Sequence, residues 1–245
     1  MLDDLQKELP IPLYYQIKTR LLEQIESGQL KPGDRVPSER ELTDRYGVSR
    51  MTARQALVEL ETQGVLVREQ GKGTFVATPK FEQPLALLTS FTEDMRRRGL
   101  RAGAQVLSAG LVPAERRAAR DLGLAETARV YRLERLRLAG GEPMALETSH
   151  LAADRFPGLL ELDLENRSLY ALLRERYGVE LARASQSLEA VPADARLAEI
   201  LRVREGTPLM LMERLSRDPQ DRPVELVRSY YRGDRYRFVT ELLAP

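Results

Sequence analysis

The chain contains no cysteine, one histidine and almost no net charge. Without cysteine there are no disulfides and no thiolate zinc site. A lone His150 cannot assemble a metal site, so it reads as a surface or satisfied histidine, and no cofactor is expected. Apolar runs such as "LALL" fall far short of the roughly 20 residues that span a bilayer. The start, "MLDDLQKELPIPLYYQ", lacks the basic opening and apolar core of a signal peptide. A cytoplasmic protein with no membrane partner is the expectation. Charge is balanced, 38 Lys/Arg against 37 Asp/Glu, for a net +1. Residues 1–78 carry 11 Lys/Arg and 12 Asp/Glu. Global charge thus predicts no nucleic-acid partner, and any such role must rest on local placement.

What is present suits a globular protein: 245 residues, 42% hydrophobic and 31% charged, enough for one large or two modest domains. "PLYYQIKTRLLEQIESGQLKPGD" reads as a helix with the stripe Leu13, Ile17, Leu21 and Ile25, stopped by Gly28 and Pro32-Gly33. Ser38 with Glu41 three residues on is a capping-box spacing that opens a short second helix, ended by Gly47. Ser49 caps a third helix running to about Gly64, with Ala53, Ala56, Leu57 and Leu60 inward. "VLVREQGKGTFVAT" reads as two short strands around Gln70-Gly71-Lys72-Gly73. Helix, short helix, tight turn, helix and hairpin make a winged helix-turn-helix.

On the third helix Arg50 and Arg54 lie about 40° apart on the helical wheel. Residues 45–58 hold Arg45, Arg50 and Arg54 and no acid. For an arbitrary helix this is a solvated face. In a helix-turn-helix the same helix enters the major groove, where an arginine bonds bidentately to guanine, worth about 1–3 kcal/mol of discrimination. Ser38, Ser49 and Thr52 are hydroxyls near helix starts, where phosphates bind. Gly71 lets the wing backbone approach a minor groove, with Lys72 supplying charge.

The stretch "YYQIKTRLLEQIESGQLKPGDRVPSERELTDRYGVSRMTARQALVELETQGVLVREQGKGTFV" resembles the DNA-binding domain of the GntR family of bacterial transcription regulators, over residues 12–76. The resemblance implies that base-reading and phosphate-gripping arginines sit at Arg40, Arg50 and Arg54, with Gly71 as the wing glycine.

After Ala77 the texture changes. "TPKFEQPLA", with two prolines, reads as a linker, placed at 78–88 between domains at 9–77 and 89–243. Alternation predicts strands at 104–112, 129–138, 143–151, 183–190, 208–216, 223–232 and 236–242, and helices at 89–98, 113–122, 166–177 and 193–203. The hairpins "ERLRLAGGEPMALE" and "ERLSRDPQDRPVEL" look alike, which suggests an internal duplication and an antiparallel α+β domain.

Arg135 and Arg137 are two apart on a strand and share a face. Two readings stand: an anion between the guanidiniums, or plain cross-strand salt bridges to Glu147 or Glu225. Ser168 begins a helix with Tyr170 in its first turn, and Ser90, Phe91 and Thr92 stand before another, so both favour anions. Glu225 and Tyr231 share parity on one strand, matched by Glu147 on the earlier hairpin. Their carboxylates suit ligand hydroxyls or an amine. "MRRRGLR" at 95–101 reads as a solvated helix end rather than a second nucleic-acid site.

"SFTEDMRRRGL", "RLRLAGGEPMALETSHL", "FPGLL", "SLYALLRERYGVEL", "GTPLMLMERLSRD" and "PVELVRSYYRGDRYRF" resemble the HutC subfamily of GntR regulators over residues 85–243. This implies a UTRA effector domain with a chorismate-lyase-like fold. In members that sense an amino-sugar phosphate, the matched positions assign phosphate to Ser90, Thr92, Arg135, Arg137, Ser168 and Tyr170, and the sugar to Glu147, Glu225 and Tyr231. The expectation is a two-domain α+β homodimer that binds a palindromic operator in double-stranded DNA and releases it on binding a small anionic effector. A different carboxylate or other metabolite is an alternative effector. An enzyme with a DNA-binding appendage, using Glu147 and Glu225 as acid and base, is the remote alternative.

Overall fold

A computed structural model describes residues 5–6, 8–69 and 71–242. Residues up to Pro79 form one compact unit and those from Lys80 another.

The first unit holds α1 (Leu13–Glu26), α2 (Glu39–Tyr46), α3 (Arg50–Thr62) and a hairpin of β1 (Leu66–Glu69) and β2 (Gly73–Val76). The predicted stripes are the core: Ile17 and Leu21 of α1 meet Leu42 of α2 and Ala53, Ala56, Leu57 and Leu60 of α3. Lys18 bridges α1 to Glu59 of α3 at 2.7 Å. The capping box at α2 is present in both directions: Glu41 N–H donates to the Ser38 hydroxyl and Ser38 N–H to the Glu41 carboxylate. Gly47, at φ 60° and ψ 42°, takes the left-handed turn that lets α3 follow α2 at once, and Val48 plugs the corner. This is the expected winged helix-turn-helix. Gln70, assigned to the wing turn, lies outside the described residues.

The second unit is built on an antiparallel six-stranded sheet of β4 (Ala102–Pro113), β5 (Arg129–Ala139), β6 (Glu142–Ala152), β7 (Arg183–Pro192), β8 (Pro208–Arg217) and β9 (Pro223–Arg232). The strand order is β4-β5-β6-β9-β8-β7. Helix α5 (Arg116–Leu122) joins β4 to β5, and α7 (Ala195–Leu201) joins β7 to β8. The sheet therefore consists of two strand–helix–strand–strand halves meeting at β6 and β9, so the likeness of the two hairpins extends to a strand and a helix before each. One face packs Leu136 and Leu146 against α7 residues Leu197 and Leu201. On the other, Tyr131, Leu133 and Leu151 lie under α6 (Leu169–Tyr177), while polar residues continue the same face.

One expectation is corrected. The middle of the segment assigned as linker, 78–88, is a strand, β3 (Phe81–Pro84), paired in parallel with β10 (Tyr236–Val239). Phe81 meets Tyr236 edge-on with centroids 5.8 Å apart, and Gln83 is also turned inward. Pro84 fits because an edge strand tolerates a residue with no N–H to give. Helix α4 (Phe91–Arg97) follows, capped by Ser90. The helices expected from 89, 113 and 166 start two or three residues later. Ser90 and Ser168 are caps outside their helices, and β4 runs on through Pro113.

Ser38→Ala should cost about 1 kcal/mol of local stability. Faster hydrogen–deuterium exchange of the α2 amides in the full chain, with the β5 and β6 amides unchanged, is the expected readout.

Candidate functional site

The first unit offers an exposed basic face. Arg50 and Arg54 project from the first turns of α3, where no acid stands, and neither has a salt bridge or side-chain hydrogen bond to another described residue. Ser49 caps α3 by accepting from Thr52 N–H at 3.1 Å, with the two hydroxyls 2.9 Å apart. A surface hollow brings together Ser38 and Arg40 of the α2 end, Arg50 of α3, and Gly71 and Lys72 of the wing. Arg54, Ser49 and Thr52 lie on α3 outside that lining. Arg40 faces Asp44 at 3.7 Å and Lys72 faces Glu69 at 3.0 Å, both exposed pairs that hold these cations only weakly. Arg68 ties the wing to α2 and α3 through Glu39 and Glu61.

The second unit holds a partly enclosed cleft, with a free volume of about 40 Å³, over the polar half of the sheet face. Cross-strand register explains its composition. Arg135 pairs with Glu147, Glu147 with Ser229, Ser229 with Met212, and Val227 with Arg214, so β5, β6, β9 and β8 each send side chains to one side. Nine residues expected at the ligand line this cleft: Arg135 and Arg137, Glu147, Glu225 and Tyr231, Ser168 and Tyr170, and Ser90 and Phe91. Thr92 does not line it; its hydroxyl accepts from Arg137 at 3.0 Å.

The arginines are deeply buried, Arg135 3% and Arg137 2% exposed. Of the cross-strand salt bridges expected, those to Glu147 form, at 3.3 Å from Arg135 and 3.7 Å from Arg137, and among the described residues none forms to Glu225. One carboxylate thus serves two guanidiniums. Arg135 also donates to the Arg167 carbonyl at 3.1 Å, and Arg137 sits 4.7 Å over the Phe91 ring. The Nε groups of both arginines are buried and without hydrogen-bond partners among the described residues. Burial and then the Arg137 charge pull Arg135 down to about 10. Ser168 caps α6, accepting from Ala171 N–H at 3.3 Å. At α4 the cap is closed by its own residue: Glu93 accepts from Ser90 N–H at 2.9 Å and from its hydroxyl at 3.1 Å.

Burial, then the Glu147 charge, push Glu225 above the usual carboxylate range, against Ser149, Arg135 and Tyr170. Burial likewise raises Tyr170 and Tyr231. Arg214 is raised although its burial works the other way, because Tyr170, Tyr231 and Glu225 surround it. Arg214, Asp94, Gln83, Thr89 and Ser229 were missed from the sequence yet line the cleft. Parity on 223–232 already placed Ser229 beside Glu225 and Tyr231; Arg214 needed the β8–β9 register. Arg214 donates to Gln186 at 3.0 Å and to the Thr89 carbonyl at 3.4 Å. Thr89 in turn donates to Asp94 at 2.8 Å.

Elsewhere, Arg98 of "MRRRGLR" is an internal tie: it donates to the Asp94 carbonyl at 2.9 Å and to the Glu82 carbonyl, and covers Phe81. His150 is half-buried and held below its ordinary value by burial and Arg132. Among the described residues no group of three His, Asp or Glu is placed to hold a metal, and no helix is long and apolar enough to cross a membrane.

Residues 13–76 match the family described as bacterial regulatory proteins, gntR family, and residues 97–237 match the UTRA domain. The chain is 40% identical to the HTH-type transcriptional repressor NagR of Bacillus subtilis, over 96% of this chain and 97% of that one. The chain belongs to the GntR family. Within it, the winged helix followed by a UTRA domain is the HutC arrangement. This GntR regulator is also 30% identical to the probable fructoselysine utilization operon transcriptional repressor of Escherichia coli, over 91% of each chain. The crystal structure of PhnF from Mycobacterium smegmatis superposes with a TM-score of 0.67 at 37% identity, covering 94% of this chain and all of that one. The GntR unit accordingly carries the basic face and the UTRA unit the cleft.

Glu225 gives a test of the cleft's electrostatics. A carboxyl with a raised folded value loses stability as pH climbs from the ordinary carboxylate range through that value. Glu225→Gln should therefore melt higher than the native chain at neutral pH, with the two melting temperatures converging as pH falls toward 4. A variant that melts lower at neutral pH would contradict the assignment.

Proposed function

We propose that this GntR-family chain is a homodimeric transcriptional repressor released from a palindromic operator by a small anion with a polyhydroxylated body, an amino-sugar phosphate such as N-acetylglucosamine 6-phosphate or glucosamine 6-phosphate. The observation that carries the effector reading is the buried pair Arg135 and Arg137, sharing one carboxylate and keeping two Nε donors unpartnered. A phosphate with several acceptor oxygens answers that surplus of donors. The Ser168 cap of α6 adds a helix N-terminus on the same cleft. With Ser90 engaged by Glu93 and Thr92 by Arg137, the α4 end adds less than the arginines do. Glu225, Tyr231 and Ser229 supply the acceptors and hydroxyls that suit a sugar. The relatives' names, repressors with one of a sugar-conjugate operon, agree in kind.

On the DNA side, Arg50 and Arg54 are the base readers, and Ser38, Arg40, Ser49, Thr52, Gly71 and Lys72 hold the phosphate backbone. Two-fold symmetric half-sites require two copies of the winged helix, hence the dimer. Binding is favoured over catalysis because the Glu147 carboxylate is taken up by two guanidiniums rather than left free to face a substrate.

Two substitutions separate the units. Arg50→Ala should cost about 1–3 kcal/mol of preference for operator over random DNA, read by fluorescence anisotropy, with N-acetylglucosamine 6-phosphate binding unchanged by calorimetry. Arg135→Ala should abolish that calorimetric signal while operator affinity stays within a few-fold. If Arg135→Ala still binds the sugar phosphate at native strength, the cleft is not its site.

A further inference from the structure

Gln83 stands apart from the other residues of the cleft. It is 7% exposed and lines the cavity, and its side-chain amide has no hydrogen bond to another described residue. The amide therefore opens onto the cavity with its hydrogen-bonding groups unused by the protein, where a ligand group can meet them. Being neutral, with one acceptor and one donor group, it matches a hydroxyl or an amide carbonyl rather than a phosphate. It also comes from an unusual place. Strand β3 begins two residues after the winged-helix unit ends at Pro79. Its two inward side chains have different roles: Phe81 packs in an aromatic cluster with Phe91 and Tyr236, and Gln83 enters the cavity. The outward Glu82 is held by Arg237 through its carboxylate and by Arg98 through its carbonyl.

We propose that Gln83 reads the uncharged polar part of the effector, a sugar hydroxyl or the N-acyl group, while the arginines hold its anion, and that β3 thereby makes the position of the tether to the DNA-binding unit part of the ligand's binding energy. This rests on the anionic-effector reading above. The physical content is linkage. If the ligand binds more tightly when β3 sits in place, then ligand occupancy holds β3 in place by the same factor. Tight binding without that difference shifts nothing. A phosphate held by Arg135 and Arg137 alone touches only strand β5 and has little hold on the tether. A sugar phosphate reaching Gln83 touches both.

The test uses the full chain and Gln83→Met, which keeps length and removes both hydrogen-bonding groups, with Gln83→Asn as a second variant that keeps the amide one methylene short. Inorganic phosphate and N-acetylglucosamine 6-phosphate are titrated by calorimetry, and a DNA site selected from a random pool by the native chain reports release. The expected result for Gln83→Met is N-acetylglucosamine 6-phosphate binding weakened about fivefold to tenfold, as for one lost neutral hydrogen bond, with inorganic phosphate unchanged. DNA release at saturating sugar phosphate should also be incomplete where the native chain releases fully. Gln83→Asn should fall between the two, and it alone decides if Gln83→Met does not fold. Unchanged sugar-phosphate binding, equal weakening of both ligands, or full DNA release at saturation in the variant overturns the inference. If the native chain binds neither ligand, the anionic-effector reading fails first, and this inference with it.

Discussion

Two guanidiniums held side by side under a sheet's covering layer set the terms for the whole second unit. Removing a charge from water costs several kcal/mol unless partners repay it. Arg135 and Arg137 are both nearly inaccessible, and the one carboxylate between them repays only part. The depression of Arg135 to about 10, by burial and by its neighbour, is the signature of that debt. Everything around the pair answers it: an aromatic ring under Arg137, a carbonyl and a capped helix near Arg135, and Thr92 from the start of α4. A sheet face that ran apolar throughout would be more stable, so its division into an apolar half under α6 and a charged half under residues 83–94 marks a binding surface.

The contrast with the first unit is one of exposure. Arg50 and Arg54 stand in water at the start of a helix and carry no desolvation cost until a partner arrives. Two serine caps and a left-handed glycine fix where they stand. Exposed cations on a nearly neutral chain give local attraction without general stickiness. Buried cations in the second unit do the reverse, and under the proposed function one small anion that fits completes them.

Much of this was legible in the sequence because both signals are periodic. Caps, a stripe and a turn glycine give the winged helix, and parity on two strands gives Arg135, Arg137, Glu225 and Tyr231 a common side. What was hidden depended on pairing between distant segments. Arg214 enters the cleft only because β8 lies against β9 in one register, with Arg214 opposite Val227. Strand β3 was hidden for a sharper reason. Its four residues include a proline, and it pairs with residues 155 positions away, as Glu82 and Arg237 show. Local composition there says linker, and only the distant partner makes it a strand. Gln83, an unremarkable polar residue in that segment, had no signal at all.

The central claim is that the arginine pair is built around an anion. Its most direct measurement is a crystal structure of the chain grown with N-acetylglucosamine 6-phosphate. The account predicts the phosphate within hydrogen-bond distance of Arg135, Arg137 and the Ser168 cap, with the sugar against Glu225 and Tyr231. A phosphate bound elsewhere, or an apolar ligand filling the cleft with both arginines still closed on Glu147, would contradict it.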